Sequence, residues 1–360
     1  MEPITQGLLG AAMGEVAAGR SLGRRAMLWG ALVGMSPDLD VLAAPLHAGY
    51  GEWLYHRGTT HSLWFGFAAG PLFGWLLWRW RDPGRETPLR AWIAVCVLAL
   101  VTHPILDGFT PYGTQLFAPF WRERFVWNGI GIVDPFYSLA LAAGVTCAAS
   151  RRLTERRRRL GLHAALAATT AYLLAGVAWN VWAERDVRRT LEAETGVPMQ
   201  RVEVFPTVLQ PWLRYFVAHA GDRIFLGWHT PMARGASRCI SWRERRAPPR
   251  DGRVGAVLDT WEGRLLTWFA DGHVGFEERR DESGTVVVID DLRYSWGSET
   301  GRGIWGIAAR FDDRDDLVGA VQRFSRRRDG TRTDTLFASM AGRVPGRSAG
   351  WNALPACRPR

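Results

Sequence analysis

The chain has 360 residues, 47% of them hydrophobic, and its formal net charge is +10. The basic side chains are all arginine and lysine is absent, which excludes a P-loop lysine and a Schiff-base lysine. The arginines flank long apolar runs, and this placement explains the positive charge without a nucleic-acid partner.

Apolar runs dominate the first half of the chain. The run at 4–18 carries Gln6 and Glu15 and predicts a short span, a re-entrant piece or an interfacial helix. Five runs near the length that crosses a bilayer, about 20 residues, follow at 26–46, 62–80, 89–107, 133–150 and 162–183. We therefore predict an all-α polytopic membrane domain of five to six transmembrane helices over residues 1–185.

The distribution of arginine predicts the orientation of these spans. Thirteen arginines lie before the first long run, between the second and third, and between the fourth and fifth, whereas only Arg57, Arg122 and Arg124 lie in the alternate loops. Arginine-rich loops remain cytoplasmic. Loops 47–61 and 108–132 are therefore expected to face outward, together with the tail.

Residues 186–360 are polar and predict a smaller α+β extramembrane domain. A helical segment at 184–195 precedes strand-like pieces at 223–228, 273–278, 285–294, 304–311 and 335–340, with a weak helix over 257–269. Cys96 and Cys147 lie in apolar runs and indicate core positions. Cys239 and Cys357 could pair if the tail lies outside the cytoplasm.

Acidic and imidazole side chains are expected at one depth near the outer face. Independent stretches bring these residues to that level: Asp38, Asp40, His56, His61, His103, Asp107 and Asp134. His103 and Asp107 are four residues apart and share a helical face. Imidazole with carboxylate is the ligand set of hydrolytic zinc, manganese or iron sites, with one ion or two.

Each candidate has assigned roles. We expect ligands, or partners of ligands, at Asp38, Asp40, His61, His103 and Asp107. His56 is a candidate ligand or general acid/base, and Arg57 is a candidate for neutralising a substrate anion. A divalent ion there would activate water against an ester or phosphoester, with membrane lipid as a natural substrate class.

Other interpretations remain open from the residues alone. Asp38 and Asp40 could form a turn, Asp134 could cap its helix, and His103 could bond to Asp107 within one helix. Arg57 could contact lipid headgroups. The same polar groups could form the ion or proton path of a transporter, or serve a scaffold. A serine hydrolase using Ser62 or Ser36 lacks the Gly-x-Ser-x-Gly motif.

Several motifs together resemble the YdjM-like membrane-bound metal-dependent hydrolases, also described as LexA-regulated inner-membrane hydrolases. The resemblance covers most of residues 1–180 and rests on MEPITQGLLGAAMGEVA, SPDLD, HRGTTHS, THPILDGFTPYGT and Asp134-Pro135. It implies a bacterial or archaeal inner-membrane protein with metal-dependent hydrolase activity. Family members often have histidine at the position of Gln6, which as a weaker ligand puts metal occupancy in question. Glu15 matches the family's Gly-Glu and is expected to face the same cluster, and the tail resembles the extension of longer members.

Overall fold

The computed structural model describes residues 1–47, 49–230, 239–295 and 301–325. These residues form two compact units. The first unit contains Met1–Asn180 and Pro206–Pro211, and the second contains Val181–Phe205 and the described residues from Trp212 onward.

The first unit is helical. Its helices are α1 (Pro3–Leu22), α2 (Arg24–Met35), α3 (Gly51–Tyr55), α4 (Leu63–Arg81), α5 (Leu89–Gly108), α6 (Pro135–Ala149) and α7 (Glu155–Thr195), with 3₁₀ segments at Ser36–Ala43 and Thr59–His61. Helix α7 continues into the second unit and includes the segment predicted at 184–195.

Three stretches among the described residues are long and apolar enough to cross a bilayer. They are Arg24–Ala43, Leu89–Gly108 and Glu155–Thr195, and α6 is a shorter apolar helix. The other predicted spans also lie on helices, α1 and α4. The predicted number of five to six spans is therefore not confirmed, whereas the helical character of the membrane half is.

Glycines allow two helix pairs of the first unit to approach closely. A Cβ atom on Gly14 of α1 would lie 2.1 Å from the carbonyl oxygen of Ala26 on α2, and one on Gly10 would lie 2.2 Å from that of Gly30. Helix α4 likewise places Gly66, Gly70 and Gly74 against α5. Small residues four apart permit such backbone contact between apolar helices.

The second unit contains two antiparallel four-stranded sheets. Their strands are β1 (Arg201–Pro206), β2 (Arg214–Ala220), β3 (Arg223–Thr230) and β4 (Cys239–Arg246) in one sheet, and β5 (Val274–Asp281), β6 (Gly284–Asp291), β7 (Trp305–Phe311) and β8 (Leu317–Ser325) in the other. Strands neighbour one another in chain order, as in simple meanders. Helices α8 (Gly252–Leu258) and α9 (Trp261–Phe269) lie between the two sheets in sequence.

Four predicted strands coincide with β3, β5, β6 and β7, whereas the pattern missed β1, β2, β4 and β8. The helix predicted at 257–269 is two helices, because the Thr260 side chain accepts a hydrogen bond from Gly263 N and starts a new one. The predicted strand at 335–340 lies outside the described residues. Cys357 and the side chain of Cys239, whose pairing the sequence left open, also lie outside them.

Candidate metal centre

Four side chains from three elements of the first unit converge on one point. They are Asp38 of the 3₁₀ segment Ser36–Ala43, His61 of the segment Thr59–His61, and His103 and Asp107 of α5. One ligand atom of each lies within 4.8 Å of all the others. His61, His103 and Asp107 are buried, and the Asp38 side chain is 15% exposed.

The distances within this cluster fit a tetrahedral ion. Nε2 of His61 lies 3.3 Å from Asp38 Oδ1 and 3.4 Å from Asp107 Oδ2. Nε2 of His103 lies 3.6 Å and 3.4 Å from the same two oxygens. A tetrahedral Zn²⁺ with bonds of about 2.0 to 2.2 Å needs ligand atoms about 3.3 to 3.6 Å apart. The four distances between an imidazole nitrogen and a carboxylate oxygen therefore lie in the range of a tetrahedral metal site.

Hydrogen bonds orient His103 so that Nε2 faces the cluster. Its Nδ1 lies 2.6 Å from the carbonyl oxygen of Gly34 in α2. A carbonyl only accepts, so Nδ1 carries the proton and Nε2 of the neutral ring has a free lone pair. Nε2 of His103 and Oδ2 of Asp107 are buried and have no hydrogen-bond partner. These are two of the four atoms that would contact a metal.

Asp40 lies behind His61 rather than among the four converging groups. Its Oδ2 lies 3.0 Å from His61 Nδ1 and accepts hydrogen bonds from Thr60 Oγ1 at 2.8 Å and from the backbone nitrogen of Arg57 at 3.0 Å. His61 Nδ1 faces oxygens that accept, so it carries the proton, and in the neutral ring Nε2 then has the free lone pair, 3.3 Å from Asp38 Oδ1. A carboxylate behind a metal-binding histidine fixes the ring and raises its basicity.

His56 hydrogen-bonds to Asp40 and packs edge-on against the His61 ring. Its Nδ1 lies 2.6 Å from Asp40 Oδ1, and its side chain is 18% exposed. The His56 and His61 rings are 5.8 Å apart between centroids. Asp40 therefore links a solvent-accessible imidazole to a buried one.

Arg57 is buried beside Asp107, with 4% of its side chain exposed. Its guanidinium donates to Thr110 Oγ1 at 3.0 Å, lies 3.4 Å from Asp107 Oδ1 and stacks 4.7 Å from the centre of the Tyr112 ring. Its φ of +59° is in the left-handed region, a strained conformation that the surrounding contacts maintain. The guanidinium thus offsets the charge of a cluster carboxylate.

Gln6 also lies at the cluster, where its amide donates to Asp107 Oδ1 at 3.1 Å and to the carbonyl oxygen of His103 at 3.2 Å. The Met1 nitrogen contacts the same carboxylate oxygen. These donors engage Oδ1 and leave Oδ2 toward the other ligand atoms. In this structure Gln6 orients Asp107 from α1.

Two further candidates lie elsewhere. Asp134 caps α6 by accepting from the backbone nitrogens of Phe136 and Tyr137, and it also accepts from Tyr172. Glu15 is not among the converging groups, contrary to expectation. Sequence reasoning missed Gly34 and Thr110; Thr110 lies within the THPILDGFTPYGT motif, three residues after Asp107.

A second group of possible ligands lies in the second unit and consists of Glu203, Asp271 and His273. Arg201 already bridges the two carboxylates. Burial raises the pKa of Glu203, but the neighbouring His273 and Arg201 outweigh this effect and lower the pKa to about 2. This arrangement is an ion-pair network with its own cation, and it suits a metal less well than the cluster of the first unit.

Comparison with known proteins identifies the family of this chain. Residues 1–183, just over half of the chain, match the YdjM inner membrane protein family. The inner membrane protein YbcI of Escherichia coli strain K12 is 35% identical over 103 residues, covering 28% of this chain and 57% of that protein. The chain thus spans just over half the length of this relative, and no solved structure matches. The chain belongs to the YdjM inner membrane protein family, and its first unit contains a set of residues that could hold a metal ion.

Proposed function

We propose that this protein is a metal-dependent hydrolase of the inner membrane, acting on an ester or phosphoester at the outer face. Asp38, His61, His103 and Asp107 would bind the metal, with zinc favoured by the tetrahedral spacing. The observation that carries the proposal is the convergence of two imidazole Nε2 atoms and two carboxylate oxygens at 3.3 to 3.6 Å, while Nδ1 of each ring already faces an acceptor oxygen. In neutral rings protonated on Nδ1, the Nε2 lone pairs and the carboxylates repel one another unless a cation lies among them.

The charge of the cluster supports a divalent ion. Asp38, Asp40 and Asp107 bring three negative charges, and Arg57 brings one positive charge. With neutral histidines the net charge is minus two, or minus one if the Met1 amino group is charged. Uncompensated charge beside apolar helices is costly. A divalent cation offsets this excess.

Bound metal would supply Lewis-acid polarisation of the substrate and acidify water for attack. His56 has access to solvent and a carboxylate partner in Asp40, as a general acid/base requires. It would take a proton from the attacking water and return it to the leaving group. Arg57 holds Asp107 in its charged form and, where substrate reaches it, offsets an anionic group.

Membrane lipid is the proposed substrate class, because the site lies at the ends of apolar helices. Asp38 is within one candidate span and His103 and Asp107 are within another. The arginine distribution places these ends outward, with the C-terminal domain on the same side. Reporter fusions at residues 85, 120 and 155 test the sidedness: cytoplasmic activity at 85 and 155 and external activity at 120 are expected.

The metal content of purified protein tests the centre itself. We expect about one zinc per chain, lost in His103→Ala and Asp107→Asn, and retained in the matched controls His163→Ala and Asp134→Asn. His163 is an exposed histidine of α7, and Asp134 is the cap of α6. Metal-free wild type grown with ample zinc, or unchanged loading in both ligand variants, would contradict the proposal.

Activity tests the chemistry separately. Loaded protein should hydrolyse a nitrophenyl ester, a nitrophenyl phosphodiester or a fluorescent phospholipid, and His56→Gln should slow turnover while leaving the metal in place. If loaded protein hydrolyses none of these probes but carries proton flux that Asp38→Asn abolishes, the cluster serves transport instead.

A further inference from the structure

A cavity of about 470 Å³ lies within the second unit, apart from the candidate metal centre. Its apolar wall includes Ile224, Leu258 and Val274, and its polar wall includes His219, Arg246 and Arg250. The volume is within the range of small-molecule sites, about 300 to 1,000 Å³. An apolar wall facing a few polar groups is the usual composition of such sites.

The two arginines give this cavity a positive charge. Neither Arg246 nor Arg250 has a carboxylate within 4.0 Å in the described part of the chain, although most arginines of the two sheets do. Asp222 also lines the cavity, so its one negative charge offsets part of the positive charge of Arg246 and Arg250. The three side chains together still carry one net positive charge, which favours an anion.

His219 is fixed in place at the cavity by the network behind it. Its Nε2 lies 2.9 Å from Nδ1 of the buried His273, whose Nε2 lies 2.9 Å from Glu203 Oε2. Burial, with the neighbouring His273 and Arg201, lowers the pKa of His219 to about 4. The ring is therefore neutral at neutral pH, and it offers a ligand a hydrogen bond rather than a charge.

We propose that this cavity binds a small organic anion, in which a carboxylate or phosphate group contacts Arg246 and Arg250 and a short apolar body lies against Ile224, Leu258 and Val274. The shared chemistry is an oxyanion joined to a hydrocarbon. Guanidinium groups match such oxyanions geometrically. The apolar wall adds affinity in proportion to the hydrocarbon buried.

Calorimetric titration of the full-length protein tests this proposal with four probes: hexyl phosphate, hexanoate, inorganic phosphate and hexanol. We expect saturable binding of at least one of the two amphiphilic anions, tighter than binding of inorganic phosphate and of hexanol by about tenfold or more. If the ligand is free phosphate, inorganic phosphate and hexyl phosphate should bind with equal affinity. That result would overturn the proposal that the apolar wall binds a hydrocarbon. Absence of saturable binding by both anions would overturn the proposal altogether.

Variants separate the cavity from general surface charge. Arg246→Gln and Arg250→Gln should each weaken binding about three- to tenfold, as expected for charge-assisted contacts of exposed arginines. Arg280→Gln is the matched control, since Arg280 is exposed and pairs with Asp313 away from the cavity. Equal weakening by all three would overturn the proposal. Binding of the anion should persist in His103→Ala, so the result of this experiment does not depend on the metal centre.

Discussion

Replacing Asp40 by asparagine tests whether this residue acts behind the metal ligands. Four groups contact its two oxygens: His56 at Oδ1, and Thr60, His61 and the Arg57 backbone at Oδ2. Asparagine has one acceptor oxygen. The orientation that keeps it toward the three groups at Oδ2 turns the NH₂ group toward His56, which must then accept with Nδ1.

The expected magnitude follows from these contacts. In Asp40→Asn, His61 keeps an oxygen neighbour but loses the negative charge that raises its basicity. Loss of such a supporting carboxylate weakens metal affinity about 10- to 100-fold, or about 1.4 to 2.7 kcal/mol. Because an acceptor remains for the groups at Oδ2, we expect a loss of metal affinity near the lower end of this range, about tenfold. The pH profile of hydrolysis should also change, because the tautomer of His56 changes.

Competition with a chromogenic zinc chelator measures this affinity, and metal analysis under saturating zinc measures the stoichiometry. Asp40→Asn should bind zinc at full stoichiometry but with lower affinity, whereas Asp107→Asn should not bind zinc. Asp82→Asn is the control, because Asp82 is a buried carboxylate that accepts hydrogen bonds from Thr87 and is remote from the cluster. Unchanged affinity in Asp40→Asn, or loss of the metal itself, would refute the assigned role.

Four further outcomes are expected. A chelator should lower the unfolding midpoint of the loaded wild type, since a ligand at 100 times its Kd stabilises by about 2.7 kcal/mol. Gly14→Ala should destabilise the protein by about 1 to 3 kcal/mol in thermal unfolding, because its Cβ would meet a carbonyl oxygen at 2.1 Å, whereas Gly84→Ala, with no neighbour closer than 3.5 Å, should not. Asp134→Ala should cost about 1 kcal/mol as a lost helix cap while leaving the metal content unchanged. The pKa of His219 is lowered to about 4, so below about pH 6.5 the unfolded state binds more protons than the folded state. The second unit should therefore lose stability as the pH falls from about 6.5 toward 4. His219→Gln should make this pH dependence weaker.

The sequence predicted the parts of the centre that depend on local pattern. The HPILD spacing places His103 and Asp107 on one face of α5, as found. The Ser-Pro-Asp-Leu-Asp run ends α2 and continues as a 3₁₀ segment, because Pro37 has no N–H to continue the helix. The interpretation of Asp134 as a cap is also the one that the structure shows.

Other parts depend on pairing across the chain and could not be predicted. The carbonyl of Gly34 has no side-chain signal, so nothing in the sequence identifies it as the partner of His103. Strands β1 and β2 are buried at most positions, so the alternation that marks a half-exposed strand is weak there. Asp38 and Asp40 have different roles because of the 3₁₀ turn between them. The turn directs the Asp38 carboxylate toward Nε2 of His61 and the Asp40 carboxylate toward Nδ1 of the same ring.

The hydrogen bonds that orient the ligands are also contacts between helices. His103 ties α5 to α2 through Gly34, and Gln6 ties α1 to α5 through Asp107. Gly34 permits this because a Cβ there would lie 3.0 Å from the Cα of Gly10 on α1. Metal loss would remove the cation that joins these side chains where three helices meet, so ligand geometry and helix packing should be lost together. Because of this coupling, removing the metal with a chelator is expected to lower the stability of the whole first unit, although no residue is replaced.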